Sequence, residues 1–537
     1  NRGIEGEAAI DRYLNGTLDD LYDPMLLKDM ERAVSILCEA VDTGKKIRIV
    51  GDYDIDGVCS TYILLQAFER LGSDVDFEIP DRIKDGYGIN ESIIEQAHAD
   101  GVEVILTCDN GISAFHQVEL AKKYGMTVVI TDHHEVPLDG EKEKIPPADA
   151  VIDPKQADCP YPFPEICGAV VAYKLVQVLY ARRGVPQMEW LDLLEFAAIA
   201  TVGDVMKLQD ENRILVKYGL KKMAQTKNLG LRRLAEKNNL DLGAITAYHI
   251  GFVIGPCLNA GGRLKTAKEA LALLRAQSEE EAERLAEELK ELNDTRKDMT
   301  EQGTEAAKLQ VESWYQKDKV LVVFLPECHE SLAGIIAGRL REYYQKPAIV
   351  LTRGEEAVKG SGRSIDEYHM FKKLTEVSDL LLKFGGHPLA AGLSLEEKNI
   401  DEFRRRLNEN AGLTEEDFKA KVWIDVPMPV GYVTERLVRE LSCLEPFGQG
   451  NEKPLFAEKS LRIRASRVLG RNRNVVKMTL EETDGHAIEA LYFGDGTAFE
   501  EERAGRREID VVYYPDINEY NGRKTLQAVI RRYKFRG

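Results

Sequence analysis

Long hydrophobic runs are absent from this 537-residue sequence. Nowhere do about 18 apolar residues follow one another, so no segment reads as a membrane span. The opening residues, Asn1-Arg2-Gly3-Ile4-Glu5-Gly6, lack the apolar core of a secretory leader. No Met begins the chain, and the expectation is that a few residues precede Asn1. Cysteine is sparse: eight residues, none in a CxxC pair, with Cys159 and Cys167 unmatched by a second pair. That excludes a zinc ribbon and a disulfide framework, and it suits a reducing cytoplasm. Positive charge is in deficit, with a net charge of −19. Such a chain does not simply coat nucleic acid. A local basic groove stays compatible with it, the more so where clustered carboxylates are neutralised by metal ions. No short repeat is visible.

What is present is ordinary globular composition, 44% hydrophobic and 30% charged. The length predicts about two to four domains. From Lys46 to about Ile152, short apolar strands alternate with helix-length amphipathic stretches. Ile47-Arg48-Ile49-Val50, Val104-Ile105-Leu106, Val128-Val129-Ile130 and Ala150-Val151-Ile152 are the strands; Cys59 to Arg70 and Ser113 to Tyr124 are helices between them. This alternation predicts a parallel α/β sheet, whose ligands gather beyond the carboxyl ends of the strands. A helical region follows, from Ala169 to Trp314. Within it Ser278 to Gln302, dense in Glu, Lys and Leu, reads as one long exposed helix connecting domains. Val320 to Phe324 and Ala348 to Leu351 open a second α/β unit ending near Gly412. From about Lys421 the chain reads as β structure, with Asn521-Gly522 as its best hairpin signal. From Ser460 onward, 15 basic residues face 12 acidic ones, so this end is basic while the whole is acidic.

Four acidic or histidine clusters punctuate the first half. Asp52-Tyr53-Asp54-Ile55-Asp56-Gly57 follows the first strand; three acids so close repel one another and call for a cation. Mn²⁺ and Mg²⁺ take carboxylate oxygens, although an Asp-rich turn serves equally as a helix cap. Asp109-Asn110-Gly111, past the second of these strands, is by itself a turn signal. Asp132-His133-His134-Glu135, past the third, offers imidazole ligands directed by a neighbouring acid, or a solvated His pair. Asp204 follows the apolar helix Phe196 to Ala200 and is a cap or a ligand. Clusters after three consecutive parallel strands, plus one later Asp, are not what independent caps would produce.

These motifs, in this order, resemble the DHH phosphoesterase superfamily and, within it, the single-strand-specific exonuclease branch. Asp54-x-Asp56 matches the first motif, Asp109-Asn110-Gly111 the second, Asp132-His133-His134 the third and Asp204 the fourth. Gly385-Gly386-His387-Pro388-Leu389-Ala390-Ala391-Gly392 is similar to the signature of the associated DHHA1 domain. Gly255 to Leu264 resembles a linker motif of the branch, and Pro446-Phe447-Gly448-Gln449-Gly450-Asn451 the lead-in to an oligonucleotide-binding barrel. Relatives acting on small phosphates often carry a His four residues before the first Asp of motif one; Val50 stands there, which favours the exonuclease branch.

The resemblance implies an α/β architecture: a parallel-sheet catalytic DHH domain (1–210), a helical connector (211–315), a smaller α/β DHHA1 domain for substrate (316–415) and a C-terminal OB-like β-barrel (416–537). It implies two Mn²⁺ or Mg²⁺ ions held by Asp54, Asp56, Asp109, His133 and Asp204, with Asp109 bridging. His134 and Asp132 would be catalytic, His134 beside the scissile phosphate and Asp132 supporting it with Asp52. Arg82, Arg263, Ser361, Arg363 and His387 would bind substrate. Ser361-Gly362-Arg363-Ser364 is in addition a candidate phosphate nest, or a hairpin turn. Arg462, Arg464, Arg467, Arg471, Arg473 and Lys477 would line a basic single-strand groove, or form a solvated face. The implied activity is 5′→3′ exonucleolysis of single-stranded DNA in repair and recombination. The implied setting is a cytoplasmic monomer, off the membrane, working with single-strand-binding protein and a helicase. The alternatives are an oligoribonuclease or cyclic-dinucleotide phosphodiesterase, which lacks such a barrel, and an inactive replication scaffold, which lacks the ligands.

Overall fold

A computed structural model describes residues 2–470, 472–520 and 523–536. Strands are numbered in chain order. β1 (Ile47–Val50), β2 (Val75–Glu78), β3 (Val104–Cys108), β4 (Thr127–Thr131) and β7 (Ala150–Ile152) form a parallel sheet ordered β2-β1-β3-β4-β7. A small hairpin of β5 (Leu138–Asp139) and β6 (Lys142–Glu143) stands apart from it. Alternation along the strands feeds two cores. Ile47, Ile49, Leu106, Val129 and Ile152 pack with helices Met30–Thr43, Ile55–Arg70 and Gly168–Arg183. Val50, Ile105, Val128, Ile130 and Val151 pack with Glu91–Ala99 and Phe115–Lys123. Burial on both faces explains why these strands are nearly all apolar. β2 is half-buried throughout, Val-Asp-Phe-Glu, and so carried too weak a pattern to be read as a strand.

The long helix is Glu279–Gln310, opened by a Ser278 cap on the Glu281 N–H. It is not exposed all round: Ala282, Leu285, Ala286, Leu289, Asn293, Thr300, Thr304 and Ala307 form a buried stripe. It packs on Leu229–Lys237 and Gly255–Leu264, and it also meets Ala333–Tyr344 of the next unit. The spacing of its small apolar residues marks this stripe, which the density of Glu and Lys obscured.

The second sheet is ordered β11-β12-β10-β9-β8, from β8 (Leu321–Phe324), β9 (Ala348–Arg353), β10 (Val358–Arg363), β11 (Leu381–Gly386) and β12 (Ala390–Leu395). Only β8–β9 is parallel. Ser361 and Arg363 lie on central β10, with Ser361 opposite Val350 on one side and Gly392 on the other. The segment is therefore neither a hairpin turn nor a backbone phosphate nest, because its main-chain groups serve two ladders.

The C-terminal unit begins with short β13 (Val426–Pro427) and a helix, Glu435–Leu441, where β structure alone was expected. Then β14 (Phe456–Leu469), β15 (Val475–Glu481), β16 (Ala487–Phe493), β17 (Glu508–Tyr520) and β18 (Arg523–Arg536) run in the order β14-β15-β16-β18-β17, and β17 returns to β14. The sheet is closed around Leu461, Met478, Phe499, Ile509 and Tyr513, among others. Closure removes exposed strand edges. β17 and β18 pair antiparallel; the Asn521-Gly522 signal between them lies outside the described residues, as does Arg471. Among the described residues no helix is long and apolar enough to cross a membrane.

Candidate metal centre and substrate cleft

Three of the four acid motifs sit at the carboxyl end of a parallel strand, where the chain must turn, and the fourth, Asp204, sits at the end of a helix. After β1, Asp54 caps helix Ile55–Arg70 by accepting from the Asp56 and Gly57 N–H groups (3.0 and 3.1 Å). Both bonds fall on one carboxylate oxygen, so the cap leaves the other oxygen of this candidate ligand uncommitted to the helix. A Cβ at Gly57 would fall 2.4 Å from the Asp52 carbonyl oxygen, so only glycine lets this turn close. Asp56 is fully buried; its two oxygens accept from the Gly168 and Ala169 N–H groups, 2.7 Å each, at the N-terminus of helix Gly168–Arg183. After β3, Asp109 adopts a left-handed backbone (φ 61°), uncommon outside glycine and characteristic of functional turns. After β4, Asp132 accepts from the His133, His134 and Ile112 N–H groups. The helix Leu194–Gly203 runs past Ala200 and ends at Asp204.

These segments converge. His133 Nε2 lies 3.1 Å from Asp109 Oδ1, 3.4 Å from Asp56 Oδ2 and 3.8 Å from Asp204 Oδ2. Three sets have ligand atoms within 4.8 Å of one another: Asp109, His133, His134; Asp56, His133, Asp204; and Asp52, Asp54, Asp109. Asp109 and His133 each belong to two sets. Asp52, expected to support the ligands from behind, has its carboxylate within the same reach as theirs.

The electrostatics describe a centre short of positive charge. Burial, then the charges of Asp56, Asp54, Asp52 and Asp204, push Asp109 well above the carboxylate range. Burial, then Asp56 and Asp54, does the same to Asp204. Asp56 is raised by burial, partly offset by His133, and Asp52 is pushed up to about 8 by burial and Asp54. Burial lowers His133. Hard carboxylate oxygens with an imidazole nitrogen aimed into them fit Mn²⁺ or Mg²⁺. His134 differs: although burial opposes its charge, the 2.7 Å bond to Asp132 raises it to about 9. Burial likewise opposes the charge of Asp132, but His134 holds its carboxyl below the usual value.

Tyr87 was not singled out from the sequence. Its hydroxyl donates to the Asp109 carbonyl (2.7 Å) and lies 3.0 Å from His134 Nδ1. Only its place in the Gly86-Tyr87-Gly88 turn hinted at a role. Gly168 is similar: a Cβ there would sit 2.7 Å from Asp109 Cβ, so the helix that holds Asp56 also touches Asp109.

Of the candidate substrate residues, Arg82 and Ser361 come together where the DHHA1 sheet meets Tyr53 of the first acid motif, and His387 lies outside that cleft's lining. Tyr53, Arg82, Ser331, Ser361 and Gly385 line one cleft. Arg82 lies over the Tyr53 ring at 4.0 Å, its Nε buried and, among the described residues, unpaired. Arg263 donates to the Ser331 carbonyl (3.0 Å), and Arg363 Nη1 to Ser361 Oγ (3.1 Å). Burial, then Arg82 and Arg296, lowers Arg263 to about 10. His387 stands at the exposed tip between β11 and β12, its N–H donating to the Ala390 carbonyl (2.7 Å). On the barrel, Arg462, Arg464 and Arg467 lie on β14 and Lys477 on β15, with Arg464 paired to Glu481 and Lys477 to Glu489. Arg473, ahead of β15, donates to Thr497 Oγ1 (3.0 Å).

A parallel sheet with this acid and histidine rim, a second α/β unit facing it and a closed barrel define a metal-dependent phosphoesterase of the DHH class. Three family models match in order: the N-terminal domain of the DHH family over residues 46–201, the DHHA1 domain over 317–412 and the RecJ OB domain over 424–532. The single-stranded-DNA-specific exonuclease RecJ of Escherichia coli is 34% identical over 99% of this chain and 94% of its own. That of Bacillus subtilis is 37% identical over 99% of this chain, which spans 66% of the relative's length. The crystal structure of RecJ with Mn²⁺ from Thermus thermophilus superposes with a TM-score of 0.82 at 29% identity, over 98% of this chain and 75% of that one. A Mg²⁺ complex of RecJ from the same organism gives 0.76 at 28% identity, over 97% of this chain and 72% of that one. The chain belongs to the RecJ family.

Proposed function

We propose that this chain is a single-stranded-DNA-specific 5′→3′ exonuclease acting in DNA repair and recombination, releasing 5′-mononucleotides. The observation that carries this reading is the meeting of Asp56, Asp109, His133 and Asp204, from four separate segments, around one point. In this reading Asp54, Asp56, Asp109, His133 and Asp204 would hold two Mn²⁺ or Mg²⁺ ions. When bound, such a pair supplies Lewis-acid stabilisation of the phosphate and water acidified to near neutrality. Asp132 holds His134 in place and keeps it protonated, so that its ring stabilises the scissile phosphate and gives its proton to the departing O3′. Water adds to phosphorus, the P–O3′ bond breaks, and the strand keeps a new 5′-phosphate for the next cycle. Arg82, Arg263, Ser361 and Arg363 receive the terminal phosphate, with His387 near the strand.

The division of labour follows: 1–210 cleaves, 211–315 connects, 316–415 grips the end and 416–537 holds the following strand. The setting is the cytoplasm, which eight unbridged cysteines suit. The chain acts there as a monomer, receiving strands from a helicase and single-strand-binding protein. The test digests 5′-labelled and 3′-labelled single strands with Mn²⁺, comparing wild type with Asp109→Ala and Asp132→Ala. Labelled mononucleotide from the 5′ end, lost in both variants and with chelator, is the expected result. Activity surviving the substitutions refutes the mechanism, and attack from the 3′ end refutes the polarity.

A further inference from the structure

Two helices that carry candidate metal ligands also wall a second cavity. Helix Ile55–Arg70 begins at Asp54 and helix Leu194–Gly203 ends at Asp204. The cavity, of about 450 Å³, opens at Tyr62, Gln66 and Arg70 of the first and at Glu195 and Phe196 of the second. Tyr62 stands about two helical turns from Asp54, and Glu195 about two and a half turns from Asp204. The cavity shares no residue with the acid and histidine sets or with the substrate cleft. Its size lies within the range of small-molecule sites, about 300–1,000 Å³.

The inner wall holds polar groups left without partners. Glu195 is only 4% exposed; its Oε1 accepts from Thr226 Oγ1 (2.7 Å), and its buried Oε2 has no partner among the described residues. Lys222, whose charge reaches Glu195, is bonded to Asp192 instead. Burial raises the Glu195 carboxyl to about 7. A buried carboxylate oxygen is costly to leave unmet, which calls for a donor from outside the chain. Beside it the Tyr62 and Phe196 rings lie 4.3 Å apart, inclined at 47°. The Tyr62 hydroxyl accepts from Asn228 Nδ2 (3.1 Å), and its own proton has no acceptor among the described residues. Leu229 and Leu274 add apolar surface. At the mouth, Arg70 pairs with Glu189 while Lys222 and Lys227 share Asp192, so one positive charge is in surplus. The Lys227 side chain is 83% exposed.

We propose that this cavity binds a free guanine nucleotide, its base donating to Glu195 and its phosphate meeting Lys227 at the mouth. Guanine carries two N–H donors side by side, N1–H and N2–H, which one carboxylate receives together: Oε2 takes one, and Oε1 keeps a lone pair for the other. The adjoining O6 is the acceptor that the Tyr62 hydroxyl lacks. Adenine and cytosine set a ring acceptor beside their amino group, and it would face the carboxylate lone pairs. Thymine and uracil offer one ring N–H between two carbonyls. The site is independent of what the metal centre cleaves. Two sources could supply the ligand: deoxymononucleotides released from DNA, or free ribonucleotides.

The test titrates the full chain in chelator with GMP, dGMP, IMP and AMP by calorimetry. GMP is expected to bind, with IMP, which lacks only the 2-amino group, at least about tenfold weaker and AMP weaker still. Glu195→Gln should weaken GMP about tenfold or more and bring GMP and IMP within about threefold of each other. Lys227→Ala, at an exposed position where folding is not at stake, should weaken GMP about threefold and leave guanosine unchanged. An excess of single-stranded oligonucleotide should not displace GMP. Equal binding of dGMP assigns the source to released mononucleotides, and dGMP at least about tenfold weaker assigns it to ribonucleotides; either result upholds the site. IMP or AMP binding as tightly as GMP, unchanged GMP affinity in Glu195→Gln, or GMP displaced by the oligonucleotide overturns it. So does GMP that fails to bind at millimolar concentration. None of these outcomes touches the exonuclease reading, which the labelled strands test separately.

Discussion

Asp109→Asn is expected to stabilise the metal-free protein at alkaline pH while abolishing its response to metal. Asp109 is buried among Asp52, Asp54, Asp56 and Asp204, and its carboxyl is held far above 3.8 by burial and those charges. Between the unfolded and folded pKa values the native chain binds more protons than the unfolded one, so stability falls as pH rises. For Asp52 that window runs from 3.8 to about 8. His134, at about 9 against 6.5, binds its extra proton over the upper part of the same range and adds the same sign. His133, lowered by burial, acts oppositely but only below its ordinary 6.5. Above neutrality, then, the metal-free protein loses stability with every pH unit, by about 1.4 kcal/mol for each extra proton the native state holds. In a unit of about 150–250 residues this is roughly 3–6 °C of Tm per pH unit per proton. Asparagine keeps the volume and removes one proton from that count. Thermal melts in chelator from about pH 7 to pH 9 should show a shallower slope for Asp109→Asn and a Tm several degrees above wild type near pH 8.5. Added Mn²⁺ should raise wild type sharply and the variant little. A variant melting below wild type at every pH, or wild type gaining Tm as pH rises in chelator, refutes the reasoning.

Gly168→Ala places a methyl 2.7 Å from Asp109 Cβ, against 3.4 Å for ordinary contact, so the helix or Asp109 must yield. A loss of about 1–3 kcal/mol in a denaturant melt and at least about tenfold weaker Mn²⁺ binding by calorimetry are expected. Arg82→Ala with Arg263→Ala removes two of the cleft's cations, and the KM preference for 5′-phosphorylated over 5′-hydroxyl strands should fall by about tenfold or more. Arg213→Met deletes donors to the carbonyls of Tyr13, Leu444 and Cys443, which tie the barrel's lead-in to the catalytic unit. Leu444 O keeps its bond from Asn451 Nδ2 (2.9 Å) and Cys443 is exposed, so the total cost is about 1–3 kcal/mol, and the loosened tie should speed proteolytic cutting ahead of the barrel.

The sequence made the catalytic sheet legible because its strands are buried on both faces, leaving apolar runs that end in acids. Order along the chain then identified the candidate ligands, since Asp54, Asp109 and His133 each follow such a run and Asp204 follows an apolar helix. What escaped depends on partners far away in sequence. Tyr87 matters because it reaches Asp109 and His134, and Gly168 because it abuts Asp109; neither contact has a local signature. Ser361 and Arg363 looked like a turn because Gly360 and Gly362 break the apolar pattern. In fact those glycines admit Leu351, Leu393 and Met370 against the centre of a sheet. The long helix hid its buried stripe in the same way, behind charges that solvate the other face.

The acidic surplus of the chain and its taste for a polyanion are reconciled by where charge is left unmatched. At the sheet rim, burial first and then the charges of neighbouring acids raise Asp109 and Asp204. In the cleft beside it, Arg82, Arg263 and Arg296 crowd together: Arg263 is lowered by burial and by the other two, and feels Asp54 from across the gap. Each cluster is disfavoured alone, and neither can relieve the other by direct pairing without leaving its own elements, the strand ends on one side and the cleft walls on the other. On the proposed reading, a divalent cation would relieve the first and a terminal phosphate the second, and a metal-bound nucleotide end would bring both charges together. On that reading, binding is then tightest when the two arrive together, which ties affinity to a strand end rather than to the length of the polyanion. Occupying the acid cluster should therefore tighten binding of a 5′-phosphate end more than binding of an internal stretch of strand. By linkage, such an end should tighten the metal by the same factor.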